Sequence, residues 1–177
     1  MRTILLTAVL LLFIPPTTAQ ASTYEQPIGG ISISLTAIEE NPIELAIAYY
    51  SSIYGVDSGL VQAVIGNESQ GDIKAFAIND NGTHDKGLMQ INSCNYEWLS
   101  EELGITNFYD PQQNIQCGCY ILGLLSSKYD NVHRILMSYN MGETQTRKLW
   151  GQQIYSSRYS REVVERYNKL KEVKTDE

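Results

Sequence analysis

Gly59-Leu-Val-Gln-Ala-Val-Ile-Gly-Asn-Glu68-Ser69, then a polar loop, then Gly87-Leu-Met-Gln-Ile-Asn-Ser93 make up the stretch on which the fold turns. Leu60, Val61, Val64 and Ile65 recur at the spacing of one helical face, so the segment ending at Glu68 reads as a helix with that face buried. Glu68 then stands at the negative end of a helix dipole and beside an apolar wall. Both effects disfavour the ionised carboxyl and raise its pKa. A carboxylic acid kept protonated near neutral pH can act as a general acid. Between the two halves lies Asn79-Asp-Asn-Gly-Thr-His-Asp85, a run of turn formers. The returning segment 87–93 is positioned to form the opposite wall of a cleft.

Outward from this stretch the chain reads as helices with short connections. Asn41-Pro42 is a capped helix start, and that helix stops at Gly55. Asp57 or Ser58 opens the Glu68 helix. Residues 96–103 form a short helix ended by Gly104; Asp110-Pro111 opens a longer one through 129, with Ile115, Leu122 and Leu125 on one side. Asn131 caps 132–140, and 158–173 closes the chain with Val163, Val164, Tyr167 and Leu170 inward. Six helices and one polar turn or hairpin region predict a mainly α (α+β) single domain over 41–173. Residues 22–40 read either as a leader joining the signal to the domain or, through the short alternation Ile31-Ser-Ile-Ser-Leu35, as an edge strand.

Residues 1–21 carry the marks of a signal peptide: Arg2, an apolar run over 4–14, and Ala19-Gln-Ala21 as the small-residue cleavage site. The run is too short to span a bilayer, so no stable membrane anchor is expected after cleavage, and the protein is expected to be exported. The formal net charge is −7. No basic cluster accompanies it, which argues against nucleic acid or an anionic membrane surface as a partner.

Glu68-Ser69, Gly87-Leu-Met-Gln-Ile-Asn-Ser93 and Ser138-Tyr-Asn-Met-Gly142, in that order and spacing, resemble the lysozyme-like (SLT-type) lytic transglycosylases. The likeness runs from about residue 43 to 167 and is greatest to the small exported members associated with conjugation and secretion systems. It implies a lysozyme-like fold and cleavage of the β-1,4 bond of peptidoglycan glycan strands, with components of such an apparatus as further partners. Glu68 takes the place of the catalytic acid. The resemblance places Gln90, Tyr139 and Asn140 along the substrate groove, with Ser69 and Asn92 beside them, and Tyr159 where a hydroxyl meets the acid. Met89 and Ile91 point the other way if this segment is extended, into the core. Asp85 falls where animal-type lysozymes carry a second catalytic carboxylate; as a plain turn residue it would bond backbone N–H groups instead. Two departures stand out. The usual Gly-Pro after the Tyr-Asn-x-Gly turn is replaced by Gly142-Glu143, and the common Asn-Pro after the acid by Gly71-Asp-Ile-Lys74.

Three cysteines, Cys94, Cys117 and Cys119, leave one thiol over if two pair. Cys117 and Cys119 lie two apart on a helix and face different ways, so one of them would meet Cys94. The lysozyme resemblance favours Cys94–Cys117, since animal lysozymes carry a cysteine at the matching helix position; Cys119 then reads as a small core hydrophobe. Neither His84 nor His133 is marked as partner to a catalytic thiol. No metal or other cofactor is expected, because one His and scattered Asp residues make no ligand set and acid-catalysed glycosidic cleavage needs none. Two rival readings stand beside the transglycosylase: a hydrolytic muramidase using Glu68 and Asp85, and an inactive glycan-binding module.

Overall fold

The structure, a computed structural model, describes residues 41–175. The signal-peptide and leader readings lie outside the described residues. The chain folds in the order α1 (Pro42–Tyr54), α2 (Ser58–Glu68), β1 (Phe76–Ile78), β2 (His84–Lys86), β3 (Ile91–Asn92), a 3-10 turn (Ser93–Asn95), α3 (Tyr96–Leu103), α4 (Pro111–Lys128), α5 (Val132–Met141), α6 (Glu143–Gly151) and α7 (Arg158–Thr175).

The capping chemistry accounts for the starts. Asn41, Asp57, Asp110 and Asn131 each take N-terminal amide protons of their helix onto a side-chain oxygen, satisfying donors that the helix itself leaves unpaired. Gly55 and Gly104 end α1 and α3 in the left-handed conformation. Helix α1 packs on α4, α2 on α7, and α5 on α6 and α7. Val61, Val64, Ile115, Leu122, Leu136 and Val163 meet in one buried core, and the apolar face of α2 is part of it.

The turn region is a three-stranded antiparallel sheet in the order β1-β2-β3. Its register sets Asp85 opposite Asn92 and Lys86 opposite Ile91. Residues 87–93 are not one extended strand. Gln90 is left-handed at φ 47, and only Ile91 and Asn92 pair in the sheet. Met89 and Ile91 are nonetheless core residues, 0% and 2% exposed.

Two further expectations are corrected. There are seven α-helices among the described residues rather than six. The unforeseen α6 has a polar sequence, with Leu149 and Trp150 its only large apolar residues, and buries only Thr146, so its apolar face is too sparse to read. Gly142, at φ 81 and ψ 154, breaks α5 from α6 in a conformation open essentially to glycine alone. The Cys94–Cys117 pair is absent, and all three thiols are free. Cys94 sits exposed in the 3-10 turn, whereas Cys117 is buried on the core face of α4, so the two side chains face different environments.

Candidate active site

A cleft of about 800 Å³ runs between the sheet on one side and α3, α4 and the α5–α6 junction on the other. Glu68 enters it from the end of α2, Asp85 from β2, and Tyr139 and Asn140 from the end of α5. Tyr159, from the first turn of α7, donates its hydroxyl to Glu68 Oε1 at 2.6 Å. That contact spans 91 residues of sequence, and the packing of α2 on α7 makes it.

Burial is the main influence on Glu68 and raises its pKa; the Tyr159 hydrogen bond opposes this, and the charge of Asp85 adds to it. The result is a carboxyl raised to about 7. Desolvation removes water from the ionised form, while a donor to the carboxylate restores part of that loss. Glu68 is thus poised to hold a proton or release it close to neutral pH.

Asp85 is clamped. Asn79 Nδ2 donates to its Oδ2 at 2.9 Å and Asn92 Nδ2 to its Oδ1 at 2.6 Å. The second N–H of each amide goes to the Thr83 hydroxyl oxygen, at 3.1 and 3.0 Å. Thr83 Oγ1 in turn donates to Asn81 Oδ1 at 2.7 Å. A hydroxyl has one proton, and here it points at Asn81, so both its lone pairs accept from the two amides. Both side chains that bond Asp85 are therefore held as donors, which is what a carboxylate, an acceptor only, requires. Asn92 came within reach of Asp85 through the β2–β3 register; Asn79 came through the turn closed by Asn79 N to Thr83 O at 2.8 Å.

The remaining expected site residues divide. Gln90 lines the cleft, but its NH₂ group donates to Ala75 O and Gly87 O. Those bonds fasten its left-handed backbone. Tyr139 donates its hydroxyl to Met89 O at 2.8 Å, so that group braces the 87–90 turn while the ring lines the cleft. Asn140 is exposed at the cleft. Ser69 is not brought there: its hydroxyl donates to Ile65 O and accepts from Gly71 N, so it finishes α2.

Asn114 escaped the sequence reading. Fully buried on α4, it accepts from Met89 N at 2.8 Å and donates to Lys86 O and Phe108 O, both at 2.8 Å. Its amide holds the turn that carries Gln90. Asn79 and Thr83 were missed as well. The available signal was a polar residue beside the Ile115 face, one turn after the Asp110-Pro111 start.

A half-buried acid facing a fixed carboxylate across an amide-lined cleft is the arrangement that acid-catalysed cleavage of a glycosidic bond calls for. Comparison with known proteins shows the family. The chain belongs to the transglycosylase SLT domain family, which matches residues 45–161. It is similar to a transglycosylase of Enterobacteria phage PRD1, at 32% identity over 120 residues, covering 68% of this chain and 41% of the phage protein. It is also similar to invasion protein IagB of Salmonella typhi, at 30% identity over 128 residues, covering 71% of this chain and 76% of that one. Among solved structures, an inactive mutant of the lytic transglycosylase Slt from Pseudomonas aeruginosa superposes with a TM-score of 0.57 at 20% identity, over 70% of this chain and 23% of the other. The 70 kDa soluble lytic transglycosylase SLT70 of Escherichia coli gives 0.51 at 21% identity, over 69% and 20%. The chain thus spans less than half of the phage relative and about a fifth of each solved chain. Its fold is the lysozyme-like one of the lytic transglycosylases.

Proposed function

We propose that this chain is an exported peptidoglycan lytic transglycosylase that cleaves the β-1,4 bond between N-acetylmuramic acid and N-acetylglucosamine. Protonated Glu68 gives its proton to the glycosidic oxygen as the C1–O bond breaks. Positive charge grows at C1 and the ring oxygen, and the clamped Asp85 carboxylate is the anion that offsets it. The 6-hydroxyl of the same muramic acid attacks C1, and Glu68, now a carboxylate, takes the hydroxyl's proton. The acid is restored, no water is consumed, and a 1,6-anhydro ring results. Since the attacking oxygen belongs to the sugar, it has a large proximity advantage over water.

The observation that carries this reading is Glu68 in the cleft, hydrogen-bonded to Tyr159 and raised to about 7. Such a group can begin the cycle as an acid and serve as a base within it. Similarity to a protein named for invasion supports, within the same reading, a role in opening the wall for a conjugation or secretion apparatus, and a periplasmic or cell-wall location.

One observation favours a second reading. Asp85 held on both oxygens opposite Glu68 also suits a hydrolytic muramidase with two carboxylates. Mass spectrometry of digests of purified sacculi separates the two. The transglycosylase releases chiefly 1,6-anhydro-muropeptides, lighter by one water than the hydrolytic products, and Asp85→Asn slows release without changing product type. Digests dominated by reducing-end sugars would hand the assignment to the muramidase.

A further inference from the structure

Strand β1 lies at one edge of the sheet, and among the described residues no strand pairs with its outer side. Its three residues are all exposed, Phe76 by 51% and Ile78 by 75%. The backbone directions follow from the ladder. Ala75 O accepts from Gly87 N and Asn79 N donates to Thr83 O, so residues 75, 77 and 79 turn towards β2. Phe76 and Ile78 therefore turn their N–H and C=O groups outward, to the open edge. The side chains divide by the same alternation. Ala77 shares the face of its partner Asp85, the cleft side. Phe76 lies against His84 on the other face, with ring centroids 5.5 Å apart. Tyr96 and Phe108 continue the aromatic layer behind His84. That layer ends, at the edge, in two uncovered apolar side chains.

We infer that β1 is a dimerisation edge, at which a second copy of this chain adds its own β1 antiparallel about Ala77. With Ala77 facing itself across a two-fold axis, Phe76 of each copy meets Ile78 of the other. Those are the residues with outward N–H and C=O groups, so each such pair exchanges both hydrogen bonds. Their side chains meet as cross-strand apolar pairs on one face of the joined sheet. The same register brings Lys74, three residues before Ala77, level with Asp80, three residues after it. Both are exposed, and neither belongs to the ion pairs found among the described residues. A cation at one end of the strand and an anion at the other become reciprocal pairs in an antiparallel dimer. A parallel pairing in register would instead set lysine beside lysine. The edge is thus complementary to its own reverse in hydrogen bonding, apolar contact and charge, which selects a second copy over an unrelated extended peptide. The two-fold axis stands perpendicular to the sheet, so both clefts open on the same side of it.

A contact of this length falls below the ~1,200 Å² of standard interfaces, so the dimer is reversible, with a dissociation constant of about 10 μM to 1 mM. Sedimentation of the full chain, as recovered after export, should show monomer giving way to dimer across that range. Ile78→Lys should weaken association by at least about tenfold, and Lys74→Glu or Asp80→Lys alone by about fivefold. The two charge exchanges together should restore it, since each pair re-forms with its signs swapped. All three positions are exposed, and unchanged melting temperatures check that the monomer keeps its fold. A covalent readout tests the register. Facing residues of a non-hydrogen-bonded antiparallel pair have Cα atoms ~4.5 Å apart, within the span of a disulfide. Ala77→Cys, in a Cys94→Ser background that removes the exposed native thiol, should therefore oxidise to a linked dimer at concentrations near the dissociation constant. Gln152→Cys, equally exposed but far along the chain, should stay monomeric in the same background. A wild-type chain that remains monomeric up to about 1 mM overturns the inference. So does a dimer that Ile78→Lys leaves intact, or an Ala77→Cys chain that links no faster than Gln152→Cys. Failure of the double exchange to recover what the single ones lose overturns the antiparallel pairing about Ala77. None of these readouts uses sacculus digestion, so the dimer and the enzymatic reading stand or fall separately.

Discussion

At the residue scale, the burial that raises the pKa of Glu68 works against stability, and it is the same burial on which the acid role proposed for Glu68 rests. Its pKa is raised from 4.5 to about 7 in the fold, so the folded state binds more protons than the unfolded chain between those values. Stability therefore falls as pH rises through that window, and the full penalty stands above about 7. Glu68→Gln keeps the shape and removes the charge. It should lower sacculus turnover by at least ~100-fold while leaving binding intact. It should also raise stability at pH 8 by up to ~3 kcal/mol, a gain that disappears near pH 4. Thermal melts at both pH values check the second part; equal melting shifts at the two would contradict the burial account. Tyr159→Phe removes the bond that opposes burial, so Glu68 should hold its proton to higher pH. The alkaline limb of the kcat/KM profile should then move upward. A downward move would mean that the hydroxyl does not stabilise the carboxylate.

At the element scale, α4 is the support for the catalytic turn. Asn114 reaches three backbone groups of the 86–108 region, and Asn114→Ala would strand them in the interior. At ~1–3 kcal/mol for each unsatisfied buried group, the variant should lose several kcal/mol, measurable by urea unfolding. One turn further on, a methyl group at Gly118 would collide with Met89 Sδ. Gly118→Ala must displace Met89, whose carbonyl accepts from Tyr139. It should cost ~1–3 kcal/mol as overpacking and reduce turnover together with stability. Wild-type melting and activity in this variant would show that the helix–turn contact is looser than the structure has it.

At the scale of the whole molecule, the thiols report on the packing. Burial pushes Cys117 and Cys119 up to about 12, which keeps them as thiols and out of reach of reagents. In native protein, iodoacetamide should label Cys94 alone, and after denaturation all three should react. Mass spectrometry showing only one reactive thiol in denatured, unreduced protein would restore a disulfide.

The sequence by itself determined most of the helical frame and the position of Glu68, the proposed acid, at the end of an apolar helix. Helix caps, the apolar face of α2 and the three spaced motifs are local properties, set by dihedral preference and 3.6-residue periodicity. What only the tertiary structure decided are relations among side chains far apart in the chain. Tyr159 meets Glu68 because α7 packs on α2. Asp85 lies between Asn79 and Asn92 because of a strand register and a turn. Gln90 is left-handed because its own amide bonds two carbonyls. Helix α6 stayed hidden since it buries almost no apolar surface, and Ser69 was misplaced since nothing local says whether a hydroxyl serves a helix end or a ligand. A hydrogen bond depends on direction and distance, and those become fixed only when the elements carrying its two groups are packed together.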